Sequence, residues 1–325
     1  MNTLFSLSRR SALVLAAVSI AMAANAQPSS TKPIRLVVPF GPGGVADLTA
    51  RVVAQKMSES MGQSIIVDNK PGAGGVVAAD TVAKAAPDGL TVLLMSNGNA
   101  VSVGLFKRLP FDTMKDFAPV STIGYFDLAV VTSADSKFKT MQELLAYAKA
   151  HPGTVNIGTI NVGSTQHLAA ELLKRSTGID AQVIPFNGSP AMITALRGGQ
   201  IDAGVEILAP LLGQISGKSL RPIAVMGTKR SFALPETPTV AESGAPKFNV
   251  ASWNAFAVPA KTPPAVIERL NKEVNAALAT PEVKERLRQI GVEAQGSTPQ
   301  QQADLLKSEI QRWSEVIRLA GIPKQ

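Results

Sequence analysis

Twice between Pro33 and Ala86 the chain runs from a β-branched stretch into a glycine- and proline-rich turn, then straight into a helical pattern. Leu36-Val37-Val38 stops at Pro39-Phe40-Gly41-Pro42-Gly43-Gly44, and apolar residues recur at helical spacing over Ala46–Met61. Ser64–Asn69 stops at Lys70-Pro71-Gly72-Ala73-Gly74, and a helix is predicted over Gly75–Ala86. A third strand follows at Thr91–Ser96. Strands and helices alternating in this way close by parallel pairing with right-handed crossovers, so the fold class is α/β. In an open parallel sheet, ligands bind beyond the carboxyl ends of the strands, and both turns lie there.

A second alternation begins near Thr140. Helices are predicted over Thr140–Ala150, Ser164–Ser176 and Pro190–Arg197. Strands are predicted over Thr154–Gly158, Gln182–Pro185, Ile201–Glu206 and Arg221–Met226. The last part is helical: Pro263–Ala279, Pro281–Gln289 and Pro299–Leu319 each open on a proline, whose missing N–H costs nothing in a first turn. Two α/β domains, with the terminal helices returning to the first, fit this order; a single wide sheet is the alternative. Strand-like crossings near Val130–Ser133 and Ser252–Pro259 would form the hinge of a cleft that closes on a ligand. The expected division is residues 27–132 with 252–325 in one lobe and 133–251 in the other.

Residues 1–26 read as an export signal. Arg9 and Arg10 precede an uncharged apolar run, Ser11–Ala23, and Ala24-Asn25-Ala26 is a cleavage site. The run is shorter than the roughly 20 residues of a spanning helix. The mature chain is expected in the periplasm, by the general route in preference to the twin-arginine one. There is no cysteine, which removes thiol catalysis and cysteine-ligated metals. The formal charge is +8, but Lys and Arg are scattered, so nucleic-acid binding is not expected.

Gly41, Gly43 and Ala46 satisfy G-x-G-x-x-G/A, with Asp68 where a ribose-binding acid would stand. The nucleotide reading fails on context. The second strand's end, which a ribose needs open, carries its own glycine turn, and Pro42 deletes an N–H from the cradle. Two such turns side by side suit a smaller anion. Helix starts leave amides unpaired at the positive end of the dipole, and glycine lets the backbone aim them at a ligand without Lys or Arg.

In the second half, Gly163-Ser164-Thr165 and Pro185-Phe186-Asn187-Gly188-Ser189 stand in equivalent places, as caps and turns whose polar groups can also face a cleft. Asp47 reads either as dipole compensation or as a partner for a ligand N–H. Asp202 and Glu206 lie four apart on one strand and share a face, where one carboxylate would orient a ligand. Ser164 and His167 share a helix face, which raises an exported hydrolase as an alternative. No G-x-S-x-G elbow and no orienting acid accompany them. His151 and His167 are the only histidines, and no metal site, cofactor or catalytic constellation is expected.

At these loops the chain resembles a known family. P-F-G-P-G-G-V-A-D, D-N-K-P-G-A-G-G, G-S-T-Q-H-L-A-A-E-L-L, P-F-N-G-S-P-A and L-R-G-G-Q-I-D, in that order, resemble the Bug family, the periplasmic solute receptors of tripartite tricarboxylate transporters. L-P-E-T-P-T-V-A-E-S-G and W-N-A-F-A-V-P-A-K-T-P extend the resemblance from about Pro33 to the C-terminus. It implies a two-domain, periplasmic-binding-protein-like Venus flytrap with a small carboxylate between the lobes. The first two loops would hold that carboxylate through backbone groups and bridging waters: Phe40, Gly43 and Gly44, then Gly72, Ala73 and Gly74. Asp47 matches the acid of the first motif, and Ser164, Thr165 and Asn187 fall at second-lobe positions that vary with ligand.

Where the family commonly shows P-Y-K-G, this chain has Pro185-Phe186-Asn187-Gly188. Losing that Lys and the Tyr hydroxyl favours a monocarboxylate, its amide or an amino acid over a dicarboxylate or tricarboxylate. The implied partner is a membrane permease, or alternatively a sensor kinase. The receptor itself is expected to be a monomer and not an enzyme.

Overall fold

The structure is a computed structural model that describes residues 32–325. The expected export signal, 1–26, lies outside the described residues. β1 (Ile34–Val38) is buried at every position but Arg35. It pairs in parallel with β2 (Ile65–Asn69) on one side and β3 (Thr91–Ser96) on the other, as a near-continuous apolar strand covered on both faces should. α1 (Val45–Met61) crosses from β1 to β2 and stops at Gly62, whose φ of 58° is the left-handed cap that glycine takes without strain. α2 (Val76–Ala83) crosses from β2 to β3.

β3 runs without a loop into α3 (Asn97–Leu105), a helix the sequence pattern does not predict. Asn97-Gly98-Asn99 carries turn chemistry. Here Ser96 caps the helix instead: its hydroxyl accepts from the Gly98 amide, and the Ser96 amide donates to Asn99 Oδ1 at 2.9 Å.

β4 (Phe117–Ser133) is a single strand that belongs to both halves. From Phe117 to Asp127 it pairs antiparallel with β9 (Ala251–Pro259). From Leu128 onward its neighbours are β7 (Ala203–Ile207) and β8 (Leu220–Val225), both antiparallel. β5 (Val155–Ile160) pairs in parallel with β6 (Ala181–Phe186) and β7. Among the described residues nine strands run β2-β1-β3-β9-β4-β7-β5-β6, with β8 on β4. The ladder is continuous, and β4 pairs with strands of both halves of the chain.

Helices cover both lobes. α4 (Met141–Ala150), α5 (Thr165–Thr177), α6 (Ser189–Arg197) and the short α7 (Leu212–Ser216) belong to the second half. α8 (Pro264–Ala279), α9 (Pro281–Gln289) and α10 (Pro299–Leu319) close the chain. α1, α8 and α9 bury one face of the first lobe over Leu36, Leu94 and Phe256. On the opposite face Trp253 and Trp313 share a core with Leu128 and with Leu168 of α5, so this core passes from lobe to lobe. Ala129, Met192 and Leu196 form a third core beneath α6.

Candidate functional site

The carboxyl ends of β1, β2 and β3 lie side by side, and so do those of β5, β6 and β7. These two sets of strand ends are the two walls of the candidate site, in contact through Asn97 and Thr165. In the first wall the two glycine turns touch. A Cβ on Gly75 would stand 3.3 Å from Pro39, and one on Gly98 would stand 3.1 Å from the Gly74 carbonyl oxygen. Glycine is required at Gly75 on conformation as well, with φ 97°. Neither α1 nor α2 has a side-chain cap at its start, where Gly44 and Gly75 are the capping residues. Their first amides are thus available to an anion. Phe40, 39% exposed, stands at the tip of the first turn as an apolar surface beside them.

Asp47 proves to be the internal brace of this wall, not a ligand partner. It is 1% exposed. Its Oδ2 accepts from the Gly43 amide and from Arg51 Nε, each at 2.9 Å, and its Oδ1 accepts from Asn69 Nδ2 at 2.8 Å. Asn69 Nδ2 also donates to the Phe40 carbonyl, which ties the end of β2 to the first turn. Gly43 is corrected with it: its amide points inward at Asp47, so its contribution is the turn at φ 85°. The free amides are those from Gly44 into α1. In the second turn Gly72 and Gly74 adopt φ of 139° and 63°, and the Gly75 amide closes back on the Gly72 carbonyl. Ala73 opens the short 3-10 turn between them. Asp68 forms an ion pair with Arg35, which occupies the acid that a ribose would have needed.

In the second wall, Ser164 is an N-cap. Its hydroxyl donates to the Ile160 carbonyl at 2.7 Å and accepts from the His167 amide at 3.1 Å. The His167 ring faces the Gly163 amide, not the serine, and burial lowers its pKa. The geometry thus contains no Ser164–His167 hydrogen bond of the kind a hydrolase needs. Asn187 is exposed at the end of β6.

Asp202 is a correction: it precedes β7, and its carboxylate accepts from the Asn156 amide at 2.9 Å, near the amino end of β5. That is the far end of the sheet from the cleft. The acid at the open end of β7 is Glu206, 1% exposed, whose Oε1 accepts from Gln166 Nε2 at 2.5 Å and from the Ile207 amide at 2.7 Å. Burial pushes its carboxyl pKa up. A single acid inside the apolar run Ala203–Leu208 is the sequence signal for it, because a buried charge needs a reason.

The walls meet at Asn97, which sequence reasoning missed. Its Nδ2 donates to Thr165 Oγ1 at 2.8 Å, and its Oδ1 accepts from Trp313 Nε1 at 2.8 Å. A residue at the carboxyl end of β3 is the available signal, but its partner Trp313 lies 216 positions away. Thr165 is therefore a contact between the lobes. Beside it Gly163, at φ 80°, lies so close to Leu105 that a Cβ would collide with that side chain. Gly163→Val is expected to cost about 1–2 kcal/mol through backbone strain alone. It should also wedge α5 away from α3, giving a larger radius of gyration in solution scattering. A scattering curve identical to wild type would show that the Gly163–Leu105 contact does not set the spacing of α5 and α3.

Where β4 changes neighbours, a cavity of about 430 Å³ is lined by Asp127, Lys229, Arg230, Phe232 and Arg288, among others. Lys229 spans it to Glu293 at 2.7 Å. It lies away from the glycine turns. Among the described residues no group of three His, Asp or Glu side chains is placed to hold a metal, and no helix is long and apolar enough to cross a membrane.

Two hinged α/β lobes that turn strand ends and uncapped helix starts into one cleft define a solute-binding protein. The solved structure of the periplasmic binding protein BugD matches over 90% of this chain and 99% of its own, with TM-score 0.76 and 30% identity. Rpa4515 of R. palustris, solved with adipate, matches over 91% and 99%, with TM-score 0.80 and 33% identity. BugT of Bordetella pertussis is 37% identical over 311 residues, 95% of each chain. The model of the tripartite tricarboxylate transporter family receptor matches residues 49–322. The chain belongs to this family.

Proposed function

We propose that the chain is exported by its first 26 residues, captures a small carboxylate between its lobes and delivers it to the permease of a tripartite tricarboxylate transporter. The observation that carries this reading is the pair of uncapped helix starts, α1 and α2, set side by side at the mouth of the cleft. Each presents amides and a positive dipole end. The carboxylate sits on the amides from Gly44 into α1 and on those of Gly72, Ala73 and Gly74, with Phe40 against its apolar part. Thr165 and Asn187 face it from the second lobe. Rpa4515, a relative at 33% identity, was solved with a carboxylate, adipate.

The lobes divide where β4 changes neighbours, between Asp127 and Leu128, and where β9 begins at Ala251. Binding favours the closed state by whatever affinity the ligand gains from touching both lobes, and the closed monomer is the form the permease recognises. A binding carboxylate at a hundred times its Kd stabilises the fold by about 2.7 kcal/mol, which raises Tm by several degrees in a chain of this size. The test is thermal unfolding against a broad set of small carboxylates, amides and amino acids. No shift with any of them sinks the receptor reading.

A further inference from the structure

Glu206 is a buried acid with one oxygen unused. Oε1 accepts two hydrogen bonds, from Gln166 and from Ile207, while Oε2 has no partner among the described residues. The residue stands at the carboxyl end of β7, opposite Ala129 on β4 and two pairs from the change of neighbours at Asp127. Gln166 is in the first turn of α5, and Ser189, the first residue of α6, lies beside the carboxyl. Glu206 therefore sits between two helix starts at the floor of the second wall.

Two helix starts ordinarily attract an anion. Here they face the protein's own acid. A buried oxygen left without a donor is unfavourable, and a ligand group that donates to it removes that penalty. The surrounding segments, Ile160–Thr165, Phe186–Ser189 and Glu206–Pro210, contain no Lys or Arg. A ligand with a second carboxylate would meet Glu206 there with no cation between them. The first wall is the reverse: amides for an anion, and an acid, Asp47, already saturated.

Resting on the receptor reading above, we propose that the ligand is a monocarboxylate carrying an N–H donor, as a primary amide or an ammonium, at the end remote from its carboxylate, and that Glu206 accepts that donor. Its carboxylate lies against α1 and α2 and its donor against β7. Gln166 acts as the positioning residue that holds the Glu206 carboxyl.

Calorimetric titration of the full chain, stripped of carried-over ligand by unfolding and refolding, tests this. The probes are matched series of unsubstituted monocarboxylates, ω-amino acids, ω-amide acids and dicarboxylates, with chain lengths from three to six carbons. At the best length, one N–H series is expected to bind at least about tenfold tighter than both the dicarboxylate and the unsubstituted acid. Which of the two wins distinguishes ammonium from amide. Glu206→Gln keeps the shape and is expected to erase that preference. A dicarboxylate that binds as tightly as either N–H series overturns the proposal on wild-type protein alone, whether or not the variant folds. So does a Glu206→Gln protein that weakens every series equally. Silence from all the series defeats the receptor reading itself and this proposal with it.

Discussion

Asp47→Ala is expected to lower folding stability by about 3 kcal/mol and to abolish carboxylate binding, measured by chemical denaturation and by titration calorimetry. The change strips the acceptor from the Gly43 amide, from Arg51 and from Asn69 at once. Breaking a buried pair by removing one partner is the costly way to lose it. The Arg51 side chain is half exposed and recovers water, which keeps the loss near the low end of the range. Binding fails because the first turn and the end of β2 are no longer fixed to each other. Asp47→Asn keeps the volume but not the charge, and an intermediate loss of about 1–2 kcal/mol is expected.

The pH dependence follows from the same bonds. Burial alone would push the Asp47 carboxyl up, but the hydrogen bonds from Arg51, Gly43 and Asn69, with the Arg51 charge, outweigh it and hold the carboxyl below its ordinary value. A carboxylate with a depressed folded pKa contributes stability that is fully present above its unfolded pKa of about 3.9 and is lost as pH falls through the folded value. Wild-type stability should therefore fall below about pH 4, and Asp47→Ala should flatten that part of the profile. Wild-type affinity and acid sensitivity in Asp47→Ala would show that Asp47 braces nothing.

Trp313→Ala is the second large effect, with an expected cost of about 4 kcal/mol. The side chain is fully buried in the core that passes between the lobes. Its Nε1 donates to both Asn97 Oδ1 and Glu309 Oε2, each at 2.8 Å. Trp313→Phe separates the two roles. It keeps most of the volume and leaves the buried Asn97 Oδ1 without its donor, while Glu309 Oε2 keeps Arg312 Nη2, for about 2 kcal/mol. Asn97 then loses the bond that orients its amide toward Thr165, so ligand affinity should fall in Trp313→Phe beyond what stability alone explains. Normal affinity in a destabilised Trp313→Phe would confine this tryptophan to packing.

The fold is legible where local chemistry sets it. β3 and the proline-opened helices α9 and α10 have the ends that the pattern predicts, because strand run, proline and cap all agree there. α3 is illegible, because Asn97-Gly98-Asn99 looks like a turn until Trp313 packs on it from the far end of the chain. The glycine turns and their helices are plain in the sequence, but which amides stay free is not. Asp47 and Gly43 are four residues apart and satisfy each other, and only coordinates reveal that. Asp202 and Glu206 share a face by spacing, which does not tell which one stands at the open end. The direction of β7 beside β5 decides it, and the acid at the open end is Glu206.

Backbone amide chemical shifts, recorded with and without a saturating carboxylate, test the central claim most directly. The largest changes are expected at Gly44, Val45 and Ala46 and at Gly72 to Gly74, with a second set across the cleft at Thr165, Gln166 and Ile207. Changes confined to the cavity around Lys229 and Arg288, with the two glycine turns unmoved, would contradict it.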